Sequence, residues 1–312
     1  VPDVPVRCVD RIATEARILI LTAALQNTIE TCAETRSWLA NEMSKLLGQG
    51  PFLSEEQFAS AIATRIRDNT ELHSEGWYAP PPAGIAALFS LPNNFNRLRF
   101  DTLRKEEYWP CVNQKLEMGS AGLVYASPIH RLSGAIGDFG MTIYRGNNAA
   151  VQAHLSRCLN VLERACEYAE VGMEFRELHE LAQHLFEEAG LHNARTVTWT
   201  DKVGTNLGHT IPWSYEAPSQ TEMQLISSGT LSDLRSLISN KRINVNRIER
   251  FRIPENIAFT LEARLESASD PTMPNTFYHL IATFQNGVRR VCANFNEIFA
   301  ALGMESYIRS KF

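Results

Sequence analysis

The chain has 312 residues, 44 % of them apolar, a formal net charge of −5 and an isoelectric point near 6.0. That length suffices for one large domain or two ordinary ones with a full core, and the mild acidity removes any bulk electrostatic case for nucleic acid or an anionic membrane as partner. No apolar run approaches the roughly 20 residues a transmembrane helix needs; the most hydrophobic piece, 18–25, is short, follows several charges and reads as a core-facing helix rather than a signal sequence.

In chain order, residues 9–47 carry helical periodicity, with Trp38, Leu39, Met43, Leu46 and Leu47 on one stripe, and Gly48-Gln-Gly-Pro51 ends it. Ser54-Glu-Glu-Gln57 is a capping-box start, and Phe58, Ile62 and Ile66 give the next helix its buried face. Residues 73–115 read as irregular and aromatic, with Trp77, Tyr78, Phe89, Phe95, Phe100, Tyr108 and Trp109 around Pro80-Pro-Pro82. Strands are expected at 122–126 and 139–144. Two amphipathic helices follow, one through Leu155, Cys158, Leu159, Leu162 and Cys166, the other through Phe175, Leu178, Ala182 and Leu185, closed by Gly190. The last third reads as strands at 194–200, 257–266, 276–285 and 288–293 with a short helix near 295–302. A polar stretch at 219–250, with one capped helical piece at 232–237 and a loose basic group from Lys241 to Arg252, looks inserted, as a surface loop, lid or contact segment. Helices first and strands later indicate an α+β domain.

The six cysteines lie far apart without a CxxC pair, which points to reduced thiols and an intracellular, cytoplasmic protein. Chemistry resides in three polar side chains set in otherwise apolar or glycine-rich stretches. Glu262 interrupts the run 257–265, where an unpaired charge is costly. Asp138 lies between Gly137 and Gly140, and His209 follows a glycine. Each also has a plainer reading: Asp138 as a turn residue, His209 as a hydrogen-bonded core histidine, Glu262 as a partner of Arg264 two residues on. His130 reads as a loop residue, His179 and His184 as packing or surface residues, and His73 and His279 carry no signal.

Five segments in order resemble the pita-bread fold family of creatinase, prolidase and methionine aminopeptidase: SPIHRLSGAIGDFGMTIYRG, GMEFRELHELAQHLFEEAGL, GTNLGHTIPWSYEAP, FRIPENIAFTLEARLE and GVRRVCANFNEIFAALGM. The resemblance runs from about residue 10 to the end. It implies a curved antiparallel sheet backed by helices over 51–312, with the polar 219–250 stretch inserted and residues 1–50 as an N-terminal helical segment, either a first helix or a dimer arm. Two aspartates, a histidine and two glutamates hold two metal ions in that family. The positions equated with them are Ser127, Asp138, His209, Glu262, and Val291 or Cys292, so two carboxylates are missing. The family's two substrate-facing histidines correspond to Thr205 and Tyr215.

A working two-metal peptidase is therefore not expected. Asp138, His209 and Glu262 would instead hold one Fe, Mn or Zn ion, with Tyr215, Tyr144, Ser127, Thr205, Arg264 and Arg290 binding substrate. The expected function is a non-peptidase enzyme acting on a small amino-acid-like, amide or guanidino molecule by metal-assisted hydrolysis or oxygen chemistry, in a homodimer. Two alternatives stand beside it: a metal-independent creatinase-like hydrolase or lyase with a histidine acid–base, and a non-catalytic peptide- or protein-binding descendant.

Overall fold

The computed structural model describes residues 6–50, 53–195 and 204–312, with side chains from residue 21 onward. Helix α1 (Val6–Leu47) and α2 (Glu55–Asp68) come first. Ser54 caps α2 through the expected box, accepting from the Gln57 amide while the Gln57 side chain accepts from the Ser54 amide. The first strand, β1 (Ile85–Phe89), lies inside the stretch read as irregular. All five of its residues are buried, so it lacks the alternating pattern that betrays a half-exposed strand. Next come β2 (Ser120–Ala126), β3 (Phe139–Arg145), α3 (Ala149–Tyr168) and α4 (Phe175–Glu188).

A short β4 (Leu191–Asn193) stands just before the expected strand at 194–200, of which residues 196–200 lie outside the described residues. The inserted segment holds two helices rather than one, α5 (Gln220–Ser228) and α6 (Leu231–Lys241), each opened by its own capping box. The expected strand at 257–266 is two, β5 (Ile257–Leu261) and β6 (Arg264–Ser267), parted at Glu262. Likewise 276–285 divides into β7 (Thr276–Phe277) and β8 (Leu280–Gln285), before β9 (Val288–Cys292) and α7 (Asn296–Ala301).

The strands form antiparallel ladders β1-β2-β3, β4-β6-β7 and β5-β8-β9. Both breaks serve curvature, because the chain leaves one ladder and enters another at residues 262–263 and 278–279. The ladders are joined at the second break: Met141 bridges Tyr278, and the His279 amide donates to the Gly140 carbonyl at 2.9 Å. Residues 207–211 run along β5, with the Thr260 amide donating to the His209 carbonyl at 2.8 Å and the Ile211 amide to Ala258 at 2.8 Å. This is the curved antiparallel sheet backed by helices that the sequence leads one to expect.

From Ile29 onward α1 packs into the same body, burying Cys32, Arg36, Leu39, Ala40 and Met43 at helical spacing. The five described cysteines other than Cys8 are free thiols. Burial pushes Cys158 up to about 12, so it packs as a small apolar group. Among the described residues no helix is long and apolar enough to cross a membrane.

Candidate active site

Three backbone devices bring the site together. At Gly208, a Cβ would stand 1.9 Å from the Thr260 carbonyl oxygen, so only glycine lets 207–211 run this close to β5. His209 is thereby fixed beside Thr260, whose hydroxyl accepts from the His209 amide at 3.0 Å and contacts Glu262 Oε1 at 3.3 Å. The second device is Gly137, where a Cβ would meet the backbone of Arg36 at 2.7 Å; the gap lets the Asp138 turn press onto α1. The third is the break between β7 and β8, which turns His279 inward against the start of β3.

Four side chains converge. His209 Nε2 lies 3.3 Å from Glu262 Oε1 and 3.7 Å from Asp138 Oδ2. His279 Nε2 lies 3.4 Å from Glu262 Oε2 and 3.7 Å from Asp138 Oδ2. Asp138 and His279 are fully buried, and Glu262 keeps 23 % of its side chain exposed. His279 is the residue that sequence reasoning missed. It stands in the apolar run 276–284 just as Glu262 stands in 257–265, and the same signal, a polar group inside a buried strand, was there to find it.

The two imidazoles differ. His209 Nδ1 contacts the Thr210 carbonyl at 3.0 Å. A carbonyl only accepts, so Nδ1 carries a proton, and in the neutral ring Nε2 turns a lone pair toward the two carboxylates. His279 Nδ1 faces Arg36 Nη1 at 3.3 Å. A guanidinium only donates, so here Nδ1 accepts and Nε2 carries the proton. Arg36 itself is fully buried and satisfied: Nη1 donates to the Asp138 carbonyl, Nη2 to the carbonyls of His279 and Ala293, and Nε to Asn294 Oδ1.

Asp138 Oδ1 accepts from the Tyr125 hydroxyl at 2.7 Å, which leaves Oδ2 for the cluster. Oδ2 and His279 Nε2 are buried without a hydrogen-bond partner: the 3.7 Å between them is too long, and the 3.4 Å approach of Nε2 to Glu262 Oε2 makes none either. The carboxyls are pushed apart. Burial would raise Asp138, but His279, Arg242 and Tyr125 outweigh it and hold it below the usual aspartate range. For Glu262 burial prevails, with Asp138 adding to it against His279 and Arg242, and its pKa is raised. Tyr125 is driven well above its ordinary value by burial and by the two acids, so it stays a donor.

His209 and Glu262 floor a cavity of about 120 Å³ walled by Trp77, Tyr78, Phe100, Leu123 and Phe277, with Arg104, Arg242 and Arg264 among its polar lining. The Trp77–Tyr78 pair, part of the stretch that reads from sequence as irregular and aromatic, thus faces the cavity. Of the residues expected to bind substrate, only Arg264 lines it. Ser127 is buried behind the wall, its hydroxyl accepting from the Tyr78 amide. Tyr144 packs on Phe95, and its hydroxyl accepts from the Asn148 amide. The Tyr215 hydroxyl donates to the Lys241 carbonyl, Thr205 is exposed, and Arg290 is exposed on β9. These five are set apart by strand direction or by partners of their own.

The donor atoms of Asp138, His209 and His279 lie within 4.8 Å of one another, a set that could hold a metal ion only if His279 gave up its Nε2 proton; in the tautomer set by Arg36 that place falls to Glu262. Two ligands bonded to one ion at about 2.1 Å and a tetrahedral angle stand about 3.4 Å apart. The contacts made here by the two imidazoles, 3.3 to 3.7 Å, match that spacing. A cation also resolves the electrostatics, because a lone pair and two acidic oxygens facing one another repel unless a positive charge lies among them.

Residues 104–232 match the model of metallopeptidase family M24. A search of curated proteins finds no match. Among solved structures, the fold is similar to X-Pro aminopeptidase from Thermotoga maritima, at 12 % identity and a TM-score of 0.55 over 88 % of this chain and 64 % of that one. It is similar to prolidase from Pyrococcus furiosus at 12 % and 0.54, over 86 % and 63 %. Methionine aminopeptidase from Thermotoga maritima aligns at 11 % and 0.56, over 84 % and 93 %. The chain thus spans under two thirds of the length of the first two. With its ladders, its joined breaks and this likeness, the chain has the pita-bread fold.

Proposed function

We propose that the chain is an enzyme acting on a small amino-acid-like, amide or guanidino molecule, not on peptides, with one divalent cation held by Asp138, His209 and Glu262. The observation that carries the reading is the Nε2 lone pair of His209, fixed by Thr210 and aimed at two acidic oxygens, one of them otherwise unpartnered. The Nδ1–H bond to a carbonyl is the arrangement that orients metal-bound histidines generally. A single ion fits better than two, because the positions equated with the other carboxylates are Ser127, engaged with Tyr78, and Val291 or Cys292 on β9. The small cavity and the placement of Thr205 and Tyr215 away from it favour a compact substrate over a peptide.

A bound divalent ion would supply Lewis acidity toward a carbonyl, an activated water, or a seat for oxygen chemistry. The protein's own groups divide the remaining work. Asp138, held ionised, is oriented by Tyr125. His279 presents its Nε2–H to both carboxylates and keeps them turned inward. Glu262, at the cavity floor, would hold the ion; where no ion binds it is the more basic acid, placed to take and return a proton. Trp77, Tyr78 and Phe100 exclude water around the reacting centre.

One observation favours a second reading, a metal-independent acid–base site. Arg36 sets His279 as an Nε2–H donor with Glu262 Oε2 3.4 Å away, which puts a proton donor and an acidic oxygen side by side without any ion. Turnover of small amino acids, amides, guanidino acids and dipeptides, measured before and after exhaustive chelation, tests both. We expect small-molecule turnover that chelation abolishes and added Fe, Mn or Zn restores. Activity surviving chelation would support the second reading, and dipeptide cleavage as the main activity would contradict the non-peptidase assignment.

A further inference from the structure

We propose that Arg235, on the inserted helix α6, is a positioning residue that holds Trp77 over His209, an inference that rests on the cavity being the substrate site. Arg235, Ser239 and Arg242 follow one another at the spacing of a single helical face. All three meet the cavity or its wall. Ser239 and Arg242 line it, and the Arg242 guanidinium carbon lies 4.0 Å from the Trp77 ring centroid. Arg235 reaches the loop on which Trp77 stands, 159 residues earlier in the chain. A neighbouring side of α6 is buried through Leu234 and Ile238. Just beyond its end, the Ile243 amide donates to the Thr210 hydroxyl at 3.0 Å, and the Thr210 amide donates to the Ile243 carbonyl at 2.9 Å. The helix is thus fixed to the segment that carries His209.

One peptide unit takes the grip. The Gly76 carbonyl accepts from Arg235 Nε at 3.0 Å and from Nη2 at 2.7 Å. The N–H of the same peptide, that of Trp77, donates to the Ser127 carbonyl at 3.0 Å. A peptide unit is planar, so holding its oxygen and its N–H sets the plane from which the Trp77 side chain departs. The next amide, that of Tyr78, donates to the Ser127 hydroxyl at 3.1 Å. A Cβ at Gly76 would stand 2.9 Å from both Ser127 oxygens, so only glycine lets the loop lie this close to the end of β2. Ser127 therefore holds the loop from the sheet and Arg235 holds it from α6. Between them Trp77 is buried and stands edge-on to His209, with ring centroids 6.3 Å apart. Arg235 also pairs with Glu75 Oε2 at 2.8 Å, but that carboxylate is 44 % exposed and its contribution is screened. The two charge-assisted bonds to the Gly76 carbonyl do the positioning. The inserted segment, on this reading, is one wall of the site and the brace of another.

Acrylamide quenching of Trp77 fluorescence in native buffer tests this, with the Trp77 signal isolated as the difference between each protein and its Trp77→Phe counterpart. Turnover of the small molecules named above is measured beside it. Arg235→Met keeps the apolar stem and removes the donors. We expect it to raise the Trp77 quenching constant at least about twofold and to cut turnover at least about tenfold. Arg235→Lys, with one compact ammonium for the carbonyl, should recover part of both. Glu75→Gln removes only the exposed pair, and Thr230→Ala weakens the α6 cap without touching the loop. Both should match the unsubstituted protein in both readouts. Unchanged Trp77 quenching in a folded Arg235→Met would overturn the proposal, as would unchanged turnover once Trp77 is loosened. An equal change in Thr230→Ala would also overturn it, since the effect would then be a general loosening of α6. Ready quenching of Trp77 in the unsubstituted protein would do so whether or not any variant folds. The fluorescence needs neither substrate nor ion, so a lack of turnover in the unsubstituted protein counts against the proposed function and leaves this result intact.

Discussion

Replacing Arg36 with Met tests the scaffold beneath the site. Methionine keeps much of the apolar stem but removes five N–H donors from a fully buried position. Three backbone carbonyls, those of Asp138, His279 and Ala293, then lose their bond to it, along with Asn294 Oδ1 and His279 Nδ1. Each buried acceptor left unmatched costs about 1–2 kcal/mol, so the three carbonyls alone should destabilise by roughly 3–6 kcal/mol, a large share of a typical domain's stability. Urea denaturation followed by tryptophan fluorescence and circular dichroism measures it, as a lower midpoint at unchanged slope. Arg36→Lys should recover only part, because a compact ammonium cannot span acceptors from Asp138 to Asn294. A loss below about 1 kcal/mol for Arg36→Met would refute the reasoning.

Gly208→Ala should either destabilise by at least about 3 kcal/mol or displace 207–211 from β5, because the new Cβ meets the Thr260 carbonyl and neither backbone can yield cheaply; an unchanged urea midpoint together with a crystal structure of the variant with His209 unmoved would contradict this. His154 gives a pH prediction. Burial lowers its pKa below 6.5, against the Pro274 carbonyl that contacts Nε2 at 3.0 Å. The fold therefore favours the neutral ring, and this contribution is complete above 6.5 and lost as pH falls from there through the folded value. Stability measured by urea titration should decline on acidification through that window, less steeply in His154→Gln, and parallel profiles would contradict it.

The fold was legible because its signals are local: the Ser54–Gln57 box, the stripes of α3 and α4, and five ordered segments. Strand β1 was not, since a short run buried on both faces carries no period. The site divides the same way. Glu262 announces itself as a charge in an apolar run, and Asp138 and His209 stand out once the resemblance aligns them. His279 sits in a similar run, yet only the sheet's curvature, which brings 278–279 against Gly140, shows what it faces. Arg36 falls on the buried stripe of α1 between Cys32 and Leu39, where a cation is out of place, and its acceptors lie over a hundred residues away. Tyr144, Tyr215 and Arg290 were set beside the site by a linear reading. Nothing in the sequence says which way a strand residue points until its register is known.

Elemental analysis of the purified protein beside His209→Ala tests the central claim most directly. With one cation held by Asp138, His209 and Glu262, the unsubstituted protein should carry about one transition-metal ion per chain and the folded variant close to none. No metal in the unsubstituted protein after growth and dialysis with Fe, Mn and Zn, or equal metal in both, would contradict it.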